Sequence, residues 1–363
     1  MAQAFLNVTQ THETKNDTSL SLLIERKVTE VDVPEGTVLL GPYCFAYCNK
    51  LERISIPEGV HTIRPFAFYN AAIAGGELVL PKSCAWLYAN ALSTTNFTCM
   101  RLGNLILIQA GAFSNNPQCM IYDFTRNTSV PTMNGSNVFG GINANAKIFV
   151  PAHLYDAWIV ATNWVEWADH IVPVDNAPEV SIPEHVSRGL AISRKGNGKY
   201  EVTGRGECTD SVVVITDECA DGPIDNIADA AFLYDGDIEE LFIMGSVESI
   251  ANTVCNVSAL KRLYMENVKE VLSIAFICNN LEYVRFSSNI QYIGGNSFVS
   301  SGSRTVYDFT AFTGDSIPVL EWEAMVPGST LSPEKILVPI DRYNEWRSAT
   351  NWSYYADKIF PAK

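Results

Sequence analysis

The fold class this sequence predicts is a solenoid of α/β type, dominated by short parallel β-strands, in two tandem arrays each closed by a C-terminal helical cap. Three observations predict it. Residues 51–70, LERISIPEGVHTIRPFAFYN, and 281–298, LEYVRFSSNIQYIGGNSF, share one pattern of apolar positions at a constant offset of 230 residues. Pro34, Pro57 and Pro81 follow strand-like runs at spacings of 23 and 24 residues. Residues 148–171 and 336–359 share Pro, Tyr, Trp and the run Ala-Thr-Asn-Trp at an offset of 188.

The repeating unit reads LxxIxIPxxVxxIxxxAF. Its LxxIxI part alternates apolar and polar residues, as a half-buried strand does. Proline then ends the ladder, because it has no N–H to donate. The VxxIxxxAF part is expected to carry the chain back as loop and short helical turn. Pairs such as Ala67–Phe68, Ala112–Phe113, Ala275–Phe276 and Ser297–Phe298 close each turn. The small residue lets neighbouring coils approach, and the aromatic ring fills the space between them.

Strands are expected near Val31–Val33, Ile54–Ile56, Leu78–Leu80, Met100–Leu102, Ile121–Phe124 and Ile148–Val150 in the first half. In the second half they are expected near Val212–Ile215, Leu241–Ile243, Leu263–Met265, Val284–Phe286, Val306–Phe309 and Ile336–Val338. Such spacings are those of a leucine-rich solenoid, whose single coil cannot bury its apolar face alone. After Pro151 and Pro339 a helix is expected, with Tyr155, Trp158 and Ile159 on one face. An open solenoid needs such an end cap. The cap tryptophans are read as packing residues, with a platform for sugar rings as the alternative.

These signals divide the chain into a first array at 1–174, a linker at 175–188 and a second array at 189–363. The linker reading rests on the polar, proline-containing DNAPEVSIPEH. The second array opens on a hairpin around Gly196–Asn197–Gly198. The first opens on the strand-like 19–33.

The unit LxxIxIPxxVxxIxxxAF resembles the BspA-like leucine-rich repeat, found in bacterial surface proteins and in some parasitic protists. The resemblance spans both arrays. It implies a scaffold used for adhesion or host-surface binding, in an extracellular or cell-surface location, with a protein or glycan partner on a host or neighbouring cell surface.

Composition narrows function further. The net charge is −15, of which residues 1–174 carry −3 and the remainder −12. An acidic chain repels phosphate backbones and anionic lipid, so neither nucleic acid nor membrane insertion is expected. No apolar run reaches the ~18 residues of a membrane span. The N-terminus does not read as a signal peptide. That leaves a bacteriophage virion component, structural or receptor-binding, as the alternative to an adhesin.

No catalytic pattern emerges. The five histidines are scattered, and HExxH, GxSxG and a phosphate-binding loop are missing from the sequence. No enzyme, metal or cofactor is therefore expected, and a polysaccharide-acting enzyme is the remote alternative. The nine cysteines form no CxxC pair and read as small buried hydrophobes. The acidic run from Asp217 to Glu240 reads as solvated, with a cation site or a basic partner as the alternative. Candidate binding residues are the outward strand positions Arg53, Ser55, Arg262, Tyr264, Glu282 and Arg285. Mixed charge with exposed aromatic rings suits protein recognition.

Overall fold

The computed structural model describes residues 29–73, 76–135, 137–233, 236–299, 304–321 and 333–363. Of the expected lead strand at 19–33, residues 19–28 lie outside this set. The chain is a parallel β-solenoid that divides into two compact units, with the boundary after Val174.

All twelve expected strands form, within a residue or two of their expected centres. In the first unit, Glu30–Asp32 pairs with Arg53–Ser55. A five-stranded parallel sheet then runs through Glu77–Val79, Cys99–Arg101, Ile121–Asp123, Lys147–Pro151 and Ile171–Val174. Its inward row, Leu78, Met100, Tyr122 and Ile148, is in register and fully buried. In the second unit a seven-stranded parallel sheet runs in chain order from Val212–Ile215 to Ile359–Ala362.

The return segments differ from the expected helical turns. They form two- and three-residue strands that pair with the same segment of the next coil, as Leu39–Leu40 does with Thr62–Ile63. The second unit carries two such four-stranded return sheets. The fold is therefore a β-solenoid with few helices, not an α/β solenoid. Coils of 21 to 29 residues that use two or three sides for strand leave little length for a helix on the return. The aromatic half of each closing pair stacks on its neighbour, as Phe45 does on Phe68 at 5.1 Å and Phe276 on Phe298 at 5.5 Å between ring centroids.

At the places of the expected helical caps the helices are short. Each duplicated segment holds one six-residue helix, Tyr155–Val160 or Tyr343–Ser348, a short 3-10 turn, and then a strand that extends the main sheet. Trp158, Trp164, Trp346 and Trp352 are fully buried, so none serves as an exposed sugar platform. The shared Ala-Thr-Asn-Trp run has a specific task. Asn163 and Asn351 take φ of +66° and +65°, a region asparagine tolerates better than most residues. Their side-chain amides donate to the carbonyls of Met133 and Leu320, at 2.8 and 2.7 Å. The following indoles of Trp164 and Trp352 donate to the carbonyls of Pro131 and Pro318, at 2.9 and 2.7 Å. Two side chains thus tie each terminal segment to the coil before it.

The segment read as a linker, 175–188, lies against the second unit's main sheet. Asp175 bridges to Ala362, and Ser187 reaches Val214. The expected hairpin forms from Ala191–Arg194 and Tyr200–Gly204.

Candidate recognition surfaces

Strand alternation sends every second residue of the main sheets away from the core, and these outward rows hold most of the expected binding residues. Arg53 and Ser55 are exposed on the first unit's sheet. Arg53 forms a two-bond pair with Asp32, at 2.6 and 2.9 Å, and reaches Glu30 at 3.5 Å. That guanidinium, hydrogen-bonded to Asp32, holds its carboxyl below the usual range. Arg262 is exposed and pairs with Glu240 on the neighbouring strand.

Tyr264 points outward but is only 9% exposed. It stacks on Phe242 at 4.2 Å and belongs to an outer apolar cluster with Val214 and Tyr283. Arg285 is half-buried and lies 3.9 Å from Asp308. Glu282 is exposed but precedes the strand Tyr283–Arg285, so Tyr283 takes the outward place expected for it. The six residues therefore occur as Arg53 with Ser55 on one unit, and as Arg262, Tyr264 and Arg285 on adjoining strands of the other.

A second surface has no counterpart in the sequence reading. At one corner of each coil in the first unit, two residues adopt positive φ. The first row is Tyr43, Phe66, Asn90, Gly111 and Asn137, and the second is Tyr47, Asn70, Thr94, Asn115 and Gly141. Glycine and asparagine suit this backbone, whereas a bulky side chain is strained in it by roughly 1–3 kcal/mol. The first two coils place aromatic rings there. Tyr43 and Tyr47 are 41% and 45% exposed. Tyr43 stacks on Phe66, and Phe66 meets Tyr69 edge-on at 5.6 Å. Tyr47 meets Tyr69 at 5.7 Å. A signal was present in the sequence: aligned by coil, these rings occupy places that hold Asn, Gly or Thr further along.

Chemistry at other groups is set by burial. Removal from water pushes the thiols of Cys84, Cys99 and Cys119 up to about 12, and a protonated thiol is a poor nucleophile. The carboxylates of the acidic run are dispersed among partners. Asp217 accepts from the backbone of Ile224 and Ser246. Asp225 pairs with Lys195 and Lys199, Asp237 with Arg205, and Glu239 with Lys261. Asp235 lies outside the described residues. Among the described residues, no three His, Cys, Asp or Glu side chains group as metal ligands. No helix among them is long and apolar enough to cross a membrane.

A family model described as the BspA type leucine-rich repeat region matches in six copies, over residues 23–145 and 219–311. This chain belongs to the BspA-type leucine-rich repeat family. The matched stretches contain the buried ladder positions Leu78, Met100 and Tyr122 and closing pairs such as Ala67–Phe68 and Ala275–Phe276. Similar solved structures include a leucine-rich cell surface protein of Faecalibacterium prausnitzii A2-165, at 14% identity over 93% of this chain, with a TM-score of 0.23. The chain spans 60% of that protein's length. The pneumococcal vaccine antigen PcpA matches at 13% identity over 92% of this chain and 78% of its own, with a TM-score of 0.27. A leucine-rich repeat protein of Bacteroides ovatus ATCC 8483 matches at 14% identity over 93% of this chain and 85% of its own, with a TM-score of 0.19. A search of curated proteins finds no match.

Proposed function

We propose that this BspA-type repeat protein is a non-catalytic recognition protein that binds a protein or glycan partner through the surfaces of its coils, and that it works at a cell surface. Each unit serves as one array, with its terminal helix and strand as a cap. The observation that carries the reading is the aromatic corner formed by Tyr43, Tyr47, Phe66 and Tyr69. Three of these residues stand at positive φ, where Asn or Gly would relieve backbone strain. Exposed, pre-ordered aromatic rings suit both sugar stacking and protein contact. Arg53 and Ser55 add a polar, mixed-charge strip on the same unit.

Family membership supports the surface location, and no observation favours a phage particle or a polysaccharide-acting enzyme. The test is to array glycans and surface proteins and probe them with labelled chain. Saturable binding to at least one member is expected. Retention of none across a broad panel overturns the reading.

A further inference from the structure

We infer that the outward face of the second unit's seven-stranded sheet is a groove for an extended peptide of a partner protein, and that residues 175–187 occupy this groove as an internal ligand. The peptide it fits alternates branched apolar residues with acidic ones. The inference rests on the recognition reading above and names the partner chemistry for this unit.

The first support is the character of the face. Val214, Phe242, Tyr264 and Tyr283 form an apolar cluster on the side of the sheet opposite the core, and Val180 packs against it. Four large apolar outward residues on adjoining strands make a strip rather than the scattered hydrophobes common on protein surfaces.

The second support is how the covering segment is held. At one end the amide of Ala177 donates to the Lys363 carbonyl at 2.8 Å, and Lys335 bonds Asp175 at 2.5 Å. At the other end the amide of Ser187 donates to Val214 at 3.1 Å, and its hydroxyl donates to Asp210 at 2.7 Å. These anchors lie on the last strands and the first strand of the sheet. Six inter-strand gaps of ~4.8 Å span about 29 Å, which an extended chain of this length crosses with some slack. Among the described residues, no hydrogen bond joins 178–184 to the sheet.

The middle is also loosely packed. An open pocket of about 290 Å³ is lined by Val180 and Ile182 of the segment and by Phe242, Met244 and Tyr264 of the sheet. Beside the Ala177–Lys363 bond, an open concavity of about 790 Å³ is lined by Pro178–Ser181 of the segment and by Arg285 and Thr310 of the sheet side. Both concavities open to solvent, so the segment leaves part of the apolar face uncovered. A ligand with larger apolar side chains would fill these spaces better than the valine and isoleucine now there.

Charge fixes the rest of the ligand's chemistry. Glu179 shares the open space with Arg285 and Lys363, and Asp175 meets Lys335. Acidic residues of the segment thus sit over basic residues of the face. Pro178 and Pro183 hold the backbone extended and lower the entropy lost on docking. As a tethered ligand the segment competes at high effective concentration, so a partner must displace it.

The experiment uses the full chain and a fluorescein-labelled peptide with the sequence of residues 175–187. Val180→Asp should weaken the internal segment, so that this variant binds the peptide at least tenfold more tightly than wild type. Adding Phe242→Glu should abolish that binding. Equal binding to wild type and Val180→Asp, or none to a Val180→Asp chain whose circular dichroism matches wild type, overturns the inference. Hydrogen exchange on wild type gives a second readout that needs no variant. The amides of Ala177 and Ser187 should exchange at least 100-fold faster than that of Met244, which donates to Ile215 within the sheet. Equal protection overturns the inference. A wild-type chain of twice the monomer mass, with segments exchanged between copies, would assign the groove to a second copy and also overturn it. None of these readouts involves the natural partner, so their failure is separate from failure of the panel assay.

Discussion

Tyr43 and Phe66 stack with ring centroids 5.0 Å apart and planes within 3° of parallel, each on a backbone of positive φ. The same coil position holds Asn90, Gly111 and Asn137 further along. Two bulky residues thus stand where smaller ones are better tolerated, the Tyr43 ring exposed and the Phe66 ring half-buried beneath it.

The neighbouring Tyr47 gives the first prediction. Tyr47→Asn relieves a strained φ of 62° and loses one edge contact with Tyr69. Relief of about 1 kcal/mol against a contact of similar size should leave unfolding stability within about 0.5 kcal/mol of wild type or above it. Urea denaturation measures it. A drop of more than about 2 kcal/mol would show that the ring has a structural task.

Asn351 predicts a graded response. Asn351→Ala keeps neither the tolerance for φ of +65° nor the bond to Leu320, and should lower stability by about 2–3 kcal/mol. Asn351→Gly restores the backbone but not the bond, and should lower it by about 1 kcal/mol. Equal losses in thermal melts would contradict the account of the Ala-Thr-Asn-Trp run.

Asp308 is fully buried on the outward row of the second unit. It accepts from the Tyr283 hydroxyl and from the amide and hydroxyl of Thr310, the latter two at 2.8 and 2.6 Å. Asp308→Ala leaves these donors unpaired and should lower stability by about 2–3 kcal/mol. Thr310→Val removes only one donor and should cost about 1 kcal/mol or less. Denaturant midpoints of both variants check the ranking.

Glu58 predicts a pH dependence. Its carboxylate accepts the amides of Lys82 and Ser83 on the next coil, at 2.9 and 3.0 Å. These bonds, the one from Lys82 foremost, hold its pKa below the ordinary glutamate value. A depressed folded pKa contributes stability above the unfolded pKa of about 4.3, and that contribution is lost as pH falls through the folded value. The melting temperature of Glu58→Gln should therefore lie below wild type at pH 7, and the gap should close in acid. A gap that persists at pH 2.5 would contradict the assignment.

The main-sheet strands were legible because alternation is local, and each LxxIxI run shows which side is buried. The terminal strands Ile171–Val174 and Ile359–Ala362 were not, since each contains a proline, Pro173 or Pro361. Proline argues against a central strand yet is accepted at a sheet edge, and edge position is not visible in a single run. The shift from Glu282 to Tyr283 is the same limit at finer scale. A change of one residue exchanges the two faces of a strand. Residues 175–188 carry the composition of a linker, and only the apolar row of Phe242 and Tyr264 on a distant stretch of chain gives Val180 somewhere to pack. The strained aromatic corner is legible only once the coils are aligned, because the sign of φ belongs to the coil position and not to the tyrosine itself.

On the reading proposed above, the aromatic corner of Tyr43, Tyr47 and Phe66 contacts the partner directly. The most direct test compares wild type with the triple variant Tyr43→Asn, Tyr47→Asn, Phe66→Asn on whichever glycan or protein the wild-type chain retains. At least a tenfold loss of affinity, with a melting temperature at or above wild type, is the predicted result. Unchanged affinity in the folded triple variant would contradict it.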